Sequence, residues 1–325
     1  MKSKIIGIET CLPENFEDID SLLTDNPDWK IDKIRSKTGI EKRWIASDNE
    51  TSLDLAVKAS SKLLNKFDSQ IIDTLILVTQ SPDYFLPSSS CILQNKLGLS
   101  KKIKCFDVNQ GCSGYIYGLS ISSAYIEAGM SENILLVCAE TYSKFIDKND
   151  RTNRPIFSDA ASATLITKSK EDNIGPFLFG TDGSGAENLI VKEGAAKSNF
   201  KTTSNKPELF MNGSSIFLFT VSEIPKNINS LLGLKKLNKN DINMYFFHQA
   251  SKFVIDNLVE KLNLDKNKTF CNYAYKGNTV SSTIPIALED ANSQKIIKKN
   301  DLLLLSGFGV GLSWGSCIIK WYDLN

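Results

Sequence analysis

A cysteine flanked by glycines stands at the start of a long apolar segment of the sequence. Gly111 and Gly114 bracket Cys112, so the backbone there can turn tightly and approach another group closely. The apolar segment 115–128 has the length of a helix and ends before Gly129, a residue type that often follows a helix C-terminus. Cys112 is therefore predicted at a helix N-terminus, where the helix dipole and unpaired N–H groups favour a nucleophilic thiolate. The competing interpretation is a packed structural cysteine.

His248 and Asn278 are two further candidates for chemistry. His248 is the only histidine of the chain and follows the apolar segment 244–247, a predicted strand. Open α/β sheets bind ligands at strand C-termini, which favours a functional role over a structural one for this histidine. Asn278 lies in a Gly-Asn-Thr sequence typical of a turn or helix cap, and its side chain can donate hydrogen bonds but cannot be deprotonated. No metal site is predicted, because the other ligand types are missing at suitable spacing.

A glycine-rich segment near the C-terminus is the third candidate. Residues 307–315 read Gly-Phe-Gly-Val-Gly-Leu-Ser-Trp-Gly, which predicts a tight hairpin between core strands. The segment lacks the Gly-Lys-Ser/Thr ending of a P-loop and does not follow the strand-turn-helix pattern of a dinucleotide site. Backbone N–H groups exposed in such a turn are suited to stabilising an oxyanion.

Strands that alternate with helices surround these candidates, which predicts sheets covered by helices. The segments predicted as strands share a nearly continuous apolar character: 71–79, 104–108, 134–139 and 160–167. Helices are predicted over 51–64 and 88–98, whereas 170–215 reads as loop-rich. A further predicted helix, 216–232, must kink or divide at Pro225.

The second half of the sequence repeats the first. The strand that begins at Asp241 lies 168 residues after its counterpart at Asp73, and Asn278 lies 166 residues after Cys112. Self-similarity at this long period predicts two homologous αβ halves, 1–170 and 171–325, related by a pseudo-twofold axis. Equivalent loops of such halves converge, so Cys112 and Asn278 are expected to face each other, with His248 at the same end of the sheets.

Composition narrows the class of protein. The 325 residues are 42% hydrophobic, which supports a large core, and the net charge of +1 argues against nucleic acid as the main partner. Seven cysteines are scattered without a C-x-x-C pair, which predicts a reducing, cytoplasmic location without a disulfide framework. No uninterrupted apolar segment approaches the roughly 20 residues of a membrane span, and the apolar segment 5–8 is too short for a signal peptide.

The candidate motifs jointly resemble the ketoacyl synthase III family of the thiolase superfamily. The matching sequences are Gly-Cys-Ser-Gly at Cys112, His-Gln-Ala at His248, Gly-Asn-Thr at Asn278 and the glycine-rich segment 307–315, in the family's order. The resemblance covers essentially the whole chain. It implies an α/β fold of the thiolase-like, five-layered αβαβα type with two pseudo-symmetric halves, assembled as a homodimer.

The resemblance also implies an activity, which is a ping-pong decarboxylative Claisen condensation. Cys112 would take the acyl group from acyl-CoA or an acyl-carrier thioester, and a malonyl thioester, usually on acyl carrier protein, would then be condensed with it. His248 and Asn278 would donate hydrogen bonds to the enolate, and the backbone N–H groups of Cys112 and Val310 would form the oxyanion hole. No cofactor is implied, since the departing carboxylate supplies the driving force.

Eight more positions match substrate-binding positions of the family: Trp29, Lys37, Leu86, Arg151, Phe157, Met211, Gly213 and Phe217. Among them, Leu86 stands where a partner subunit's aromatic residue often closes the acyl pocket. The sequence departs from the family at Val310, where glycine is common, and at Phe253, where a basic residue for carrier docking is common.

Two alternatives to the condensing enzyme remain open from the residues. One is an acyltransferase without decarboxylation, which moves the acyl group from Cys112 to an alcohol or amine with His248 as general base. Such an enzyme would belong to specialised or surface-polysaccharide biosynthesis. The other is a non-catalytic partner subunit that only shapes a heterodimer.

Overall fold

Helices and strands alternate along the chain in the computed structural model, which describes residues 2–197, 206–322 and 324. The strands of this part of the chain are β1 (Lys2–Cys11), β2 (Phe16–Asp18), β3 (Lys42–Trp44), β4 (Thr74–Val78), β5 (Lys104–Val108), β6 (Asn133–Glu140), β7 (Ala160–Ser169), β8 (Ile174–Thr181), β9 (Leu189–Val191), β10 (Leu209–Met211), β11 (Met244–Phe247), β12 (Leu302–Gly309) and β13 (Ser313–Lys320). The α-helices are α1 (Leu22–Asp25), α2 (Ile31–Thr38), α3 (Ser52–Leu64), α4 (Ser89–Lys96), α5 (Gly114–Glu127), α6 (Gly213–Leu234), α7 (Lys252–Leu262), α8 (Tyr273–Lys276) and α9 (Thr283–Ser293).

The two large sheets have the same strand order. The first runs β1-β7-β6-β4-β5, and the second runs β8-β13-β12-β11. In both sheets the outer strand pairs, β1 with β7 and β8 with β13, are antiparallel, whereas β4 with β6 and β11 with β12 are parallel. A single parallel bridge from Tyr245 to Thr269 stands where the second sheet would have its counterpart of β5. The topology therefore repeats within the chain, while the boundary between residues 170 and 171 stays a prediction.

The sheets and helices form five layers. Helices α5 and α9 pack between the two sheets, in one apolar cluster with inward-facing residues of both. Helices α3 and α4 cover the outer face of the first sheet, and α6 and α7 cover the outer face of the second. Within β4, Ile76 belongs to the central cluster and Leu77 to the outer one, because alternate side chains of a strand point to opposite faces. The predicted αβαβα arrangement is confirmed.

Helix α5 is buried between two sheets, which explains why its sequence is apolar on all sides. A Cβ atom on Gly118 would lie only 2.6 Å from the Leu136 side chain, so a glycine is needed where α5 crosses β6. The predicted helix 115–128 is confirmed to within one residue. The predicted start of α3 is also confirmed, since Thr51 and Asp54 form a capping box there.

The structure adds to two predictions about the middle of the chain. The segment 170–215, predicted as loop-rich, also contains β8, β9 and β10 among its described residues. A kink or a division was predicted at Pro225, and the division does not occur, since α6 is one continuous helix with Pro225 inside it. Ile224 and Ile228, on either side of the proline, are both buried against the second sheet, and this packing outweighs the lost backbone hydrogen bond.

In the described part of the chain, no helix combines the length and the apolar character that crossing a membrane requires.

Candidate active site

Cys112 lies in the turn that joins β5 to α5, two residues before the helix begins. It is only 5% exposed. The end of β12 passes directly over its sulfur, because a Cβ atom on Gly309 would lie 2.8 Å from Cys112 Sγ. A side chain at position 309 would therefore collide with the sulfur. This close approach is the reason for the glycine, and it ties the glycine-rich hairpin to the cysteine.

The Cys112 side chain is a thiol at rest. Burial raises its pKa to about 12, and the nearby Glu140 carboxylate acts in the same direction. The backbone N–H groups of Val310 and of Cys112 itself donate to the sulfur and lower the pKa, but by less than burial raises it. The predicted preference for a thiolate is therefore wrong. The same contacts show that both predicted oxyanion donors lie at the sulfur.

His248 directly follows β11 and is buried, with its backbone N–H donating to the Ser306 carbonyl at 2.8 Å. Burial lowers the pKa of its imidazole to about 3, while a hydrogen bond to the Val280 backbone acts in the opposite direction. The ring stands perpendicular to that of Phe308, with 5.7 Å between the ring centres. The imidazole is therefore neutral at pH 7, with one ring nitrogen unprotonated.

Thr283 holds the other side of the imidazole. Its Oγ1 lies 2.8 Å from His248 Nδ1 and 3.0 Å from the Val280 carbonyl oxygen. When the hydroxyl donates to Val280, Nδ1–H of His248 donates to Thr283, and Nε2 is left as the basic nitrogen. When the hydroxyl instead donates to Nδ1, Nε2 carries the proton and becomes a donor. Thr283 thus permits both tautomers, and sequence reasoning missed it.

Asn278 is held by its backbone beside the segment that contains Phe157. Its N–H donates to the Ile156 carbonyl and its carbonyl accepts from the Ser158 N–H, both at 2.9 Å. Gly277 has a φ of 66°, and a Cβ atom there would lie 2.5 Å from Ser158 Oγ, so the Gly-Asn pair is required by this contact. The predicted approach of the second-half asparagine to the first half is confirmed.

The side-chain amide of Asn278 is oriented by Val280. The Val280 N–H donates to Asn278 Oδ1 at 2.9 Å, so the oxygen is engaged and the NH₂ group remains as the donor for the cavity. Val280 has a φ of 54°, which is rare for a β-branched residue. Strained backbone of this kind is concentrated at functional sites, where surrounding contacts hold it. No local sequence signal marks Val280 as strained.

One cavity of about 950 Å³ brings the predicted residues together. Its described lining includes Cys112, His248 and Asn278. Six of the eight predicted substrate-binding residues also line it: Lys37, Arg151, Phe157, Met211, Gly213 and Phe217. The other two do not belong to its lining, since Trp29 is half-buried elsewhere and Leu86 is 81% exposed. A single chain therefore does not bring Trp29 or Leu86 to the cavity.

The outer part of the cavity combines two cations with exposed apolar side chains. Lys37 and Arg151 supply the positive charge, and no acidic side chain is among the described residues that line the cavity. The exposed apolar residues are Phe210, Leu218 and Phe253, of which only the last drew notice in the sequence. Because each lies next to other apolar residues of a strand or helix, only the tertiary structure shows that these three are exposed at one opening.

Glu140 is a further buried group that sequence reasoning missed. It accepts hydrogen bonds from the Gln80 N–H, from Ser81 Oγ at 2.9 Å and from Ser281 Oγ at 3.1 Å. Burial raises the pKa of this carboxyl group to about 8, although these donors lower it. Because Ser281 follows the Asn278 turn, Glu140 links that turn to the loop after β4.

Known proteins match this chain over most of its length. Residues 106–183 match the family 3-oxoacyl-[acyl-carrier-protein] synthase III, and residues 232–321 match its C-terminal part. The chain is 37% identical over 327 residues to the beta-ketoacyl-[acyl-carrier-protein] synthase III of Fusobacterium nucleatum, with 98% of each chain covered. The chain belongs to the 3-oxoacyl-[acyl-carrier-protein] synthase III family.

Solved structures of synthase III proteins have the same fold as this chain. One crystal structure of a 3-oxoacyl-(acyl-carrier-protein) synthase III superposes with a TM-score of 0.95 and 38% identity, covering 99% of this chain and 100% of that one. The structure of a 3-oxoacyl-(acyl-carrier protein) synthase from Burkholderia xenovorans superposes with a TM-score of 0.94 and 32% identity. The match covers 100% of this chain and 95% of that one. The predicted resemblance, thiolase-like fold and assignment as a condensing enzyme are confirmed, and neither alternative activity is favoured by these matches.

Proposed function

We propose that Cys112, His248 and Asn278 carry out a decarboxylative Claisen condensation that joins a cysteine-bound acyl group to a malonyl thioester. The observation that carries this assignment is the cavity that these three side chains share, with the sulfur beneath two backbone N–H groups. The product is a 3-oxoacyl thioester. Family membership supports the reaction class, and the geometry supports the roles of the individual residues.

In the first half-reaction, Cys112 attacks the carbonyl carbon of an acyl thioester. Because its thiol is protonated at rest, the attack needs a base. The neutral imidazole of His248 in the same cavity takes the proton while the new carbon–sulfur bond forms, since bonding to the carbonyl carbon makes the S–H group strongly acidic. The N–H groups of Cys112 and Val310 stabilise the oxyanion of the tetrahedral intermediate. The thiol that carried the acyl group leaves with the proton from His248, which restores the neutral imidazole.

In the second half-reaction, a malonyl thioester occupies the cavity and loses carbon dioxide. The electrons of the broken carbon–carbon bond pass to the thioester carbonyl as an enolate, which accepts hydrogen bonds from the NH₂ group of Asn278 and from His248 Nε2–H. The second donor requires the tautomer in which the Thr283 hydroxyl donates to Nδ1. The enolate carbon then attacks the acyl-cysteine and releases the Cys112 sulfur.

The substrates belong to the same proposal. Lys37 and Arg151 line the outer cavity and suit the phosphate groups of coenzyme A or of a carrier-protein arm. The family relatives are named for acyl carrier protein, so we assign malonyl-carrier protein as the acceptor and acyl-CoA or an acyl-carrier thioester as the donor. No cofactor takes part in these steps.

The assembly and location are also part of the proposal. A homodimer is supported by the exposed loop that ends in Leu86, at the position that the family uses across a subunit interface. A cytoplasmic location is supported by the seven scattered cysteines, all of which are free thiols in the structure.

The test is a product assay with acetyl thioester and malonyl thioester labelled in its free carboxyl group. We expect labelled carbon dioxide and a 3-oxoacyl thioester in equal amounts. C112A should abolish the acyl adduct, whereas N278A should retain the adduct and lose most carbon dioxide release. Circular dichroism and thermal unfolding check that each variant is folded. Acyl transfer to an added alcohol or amine without carbon dioxide release would contradict the proposal.

A further inference from the structure

Val280 makes a hydrogen bond to each side of the pair that is to stabilise the enolate. Its N–H donates to Asn278 Oδ1 at 2.9 Å, and its carbonyl accepts from Thr283 Oγ1 at 3.0 Å. The same Thr283 hydroxyl lies 2.8 Å from His248 Nδ1. The two peptide groups of Val280 therefore set the directions in which the amide and the imidazole face the cavity.

The conformation of Val280 has to be held by its surroundings. Its φ of 54° lies in the left-handed region, which a β-branched residue occupies only when neighbouring contacts enforce it. The Ser282 N–H donates to the Thr279 carbonyl at 3.0 Å and closes the turn around Val280. Because this bond lies within the turn, it does not fix the position of the turn against the rest of the protein.

Strand β6 of the first sheet supplies the contacts that fix the turn. Ser281 Oγ donates to Glu140 Oε1 at 3.1 Å, and Ser282 Oγ donates to the Cys138 carbonyl at 2.9 Å. All four residues are at most 1% exposed. Cys138 and Glu140 lie at the C-terminal end of β6, so both bonds attach the turn of the second half to one strand of the first half.

Glu140 is itself firmly held. The Gln80 N–H donates to its two carboxylate oxygens at 3.2 and 3.1 Å, and Ser81 Oγ donates to it at 2.9 Å. Gln80 Nε2 in turn donates to Asn109 Oδ1 at 2.9 Å, three residues before Cys112. Moving the Glu140 carboxyl group would leave buried donors without partners, so it is a rigid anchor for the residue that follows Val280.

We propose that Ser281 is a positioning residue, whose hydrogen bond to Glu140 holds Val280 in the conformation that aims both enolate donors at the malonyl thioester. This inference rests on the proposed function and adds a residue to its second half-reaction. Ser281 is not among the described residues that line the cavity, so it acts through Val280. Acylation depends less on it, because the oxyanion donors at Cys112 and Val310 belong to other segments.

The test measures the two half-reactions of S281A separately. Intact-protein mass spectrometry gives the rate of acetyl adduct formation on Cys112, and labelled malonyl thioester at saturating concentration gives the rate of carbon dioxide release. We expect carbon dioxide release to slow by about tenfold, the effect of one lost buried hydrogen bond, and adduct formation to stay within about threefold of the wild type. The bond from Ser282 remains in S281A, so the turn stays attached to β6.

Three further variants complete the set. S281C removes the hydroxyl and fills its volume, so it should behave like S281A. S293A removes a serine hydroxyl that donates to the Asp290 carbonyl at the exposed end of α9, and it should stay within about twofold of the wild type. E140Q should retain most of the rate at pH 7, because burial raises the pKa of Glu140 to about 8 and the amide can still bond to the Ser281 hydroxyl.

A double-mutant cycle distinguishes positioning from a general effect on stability. In an N278A background, the amide that Val280 orients is already missing. S281A should therefore slow carbon dioxide release by a factor at least about threefold smaller in N278A than in the wild type. A serine that only stabilised the fold would act by the same factor in both backgrounds.

Each outcome decides for or against the inference. Wild-type carbon dioxide release in folded S281A and S281C would overturn it, as would equal losses in both half-reactions or an equal factor in the N278A background. Loss of the fold in both S281A and S281C, judged by thermal unfolding, would also overturn it, because the serine would then be structural. If the wild-type protein itself releases no labelled carbon dioxide, the proposed function fails and the inference fails with it.

Discussion

Replacing Thr283 by valine tests whether this residue prepares His248 for both half-reactions. Valine has nearly the shape of threonine, so T283V removes the hydroxyl with little change in packing. The hydroxyl lies 2.8 Å from His248 Nδ1 and is buried, so the variant leaves Nδ1 without this partner. The Val280 carbonyl also loses the hydrogen bond that it accepts at 3.0 Å.

The size of the effect follows from the burial of the pair. Leaving a buried polar group unsatisfied costs about 1–3 kcal/mol. If that cost falls on the tautomer that donates to the enolate, decarboxylation slows by about 5- to 150-fold. The acylation step should change less, because Nδ1–H can still approach the Val280 carbonyl in T283V and leave Nε2 as the base. The expected result is therefore an unequal loss in the two half-reactions.

The assay measures the half-reactions separately. Intact-protein mass spectrometry gives the rate of adduct formation on Cys112, and carbon dioxide released from a labelled malonyl thioester gives the rate of the second step. T283S is the matched control, since it retains the hydroxyl and should stay within about threefold of the wild type. Wild-type rates for T283V in both steps, or equal damage in T283S and T283V, would refute the reasoning.

Three more predictions follow from the same site. G309A should nearly abolish adduct formation, because its Cβ would lie 2.8 Å from Cys112 Sγ, whereas G233A, with open space at its Cβ, should leave it unchanged. The rate at which iodoacetamide alkylates Cys112, mapped by peptide mass, should rise about tenfold per pH unit between about pH 7 and 10. A rate that reaches a plateau below about pH 8 would contradict the raised pKa of this thiol. Glu140 has a pKa raised to about 8 in the folded protein, so its protonated form stabilises the fold at low pH. This contribution to the free energy of unfolding is lost as the pH rises from about 5 to 8. Denaturant unfolding should show that the free energy of unfolding declines less over that range in E140Q than in the wild type. An equal decline in both proteins would contradict the raised pKa of Glu140.

The sequence predicted the layers of the fold because its signals are local and repeated. The glycines around Cys112 and the apolar segment behind it define α5, and the apolar strands on both sides of it define the first sheet. A kink or a division was predicted at Pro225, and the division does not occur because burial of the flanking turns outweighs the local effect of proline. Strands β8 to β10 were missed because they are short or half-exposed and so lack a continuous apolar pattern.

The chemistry of the site was less accessible from the sequence. Residue types and motifs identified Cys112, His248 and Asn278, but the pKa of the thiol depends on burial that only the folded chain creates. The orientation of the Asn278 amide depends on Val280, whose φ of 54° has no counterpart in its local sequence. The role of Thr283 arises from its contact with His248, 35 residues away in the sequence, which no motif records.

A single-turnover experiment tests the central claim most directly. The protein is first acylated on Cys112 with acetyl thioester, freed of excess reagent and mixed with labelled malonyl thioester in a rapid-quench device. The account predicts that loss of the Cys112 adduct, release of carbon dioxide and appearance of the 3-oxoacyl thioester share one rate constant. Carbon dioxide release while the adduct remains, or loss of the adduct as free acid, would contradict it.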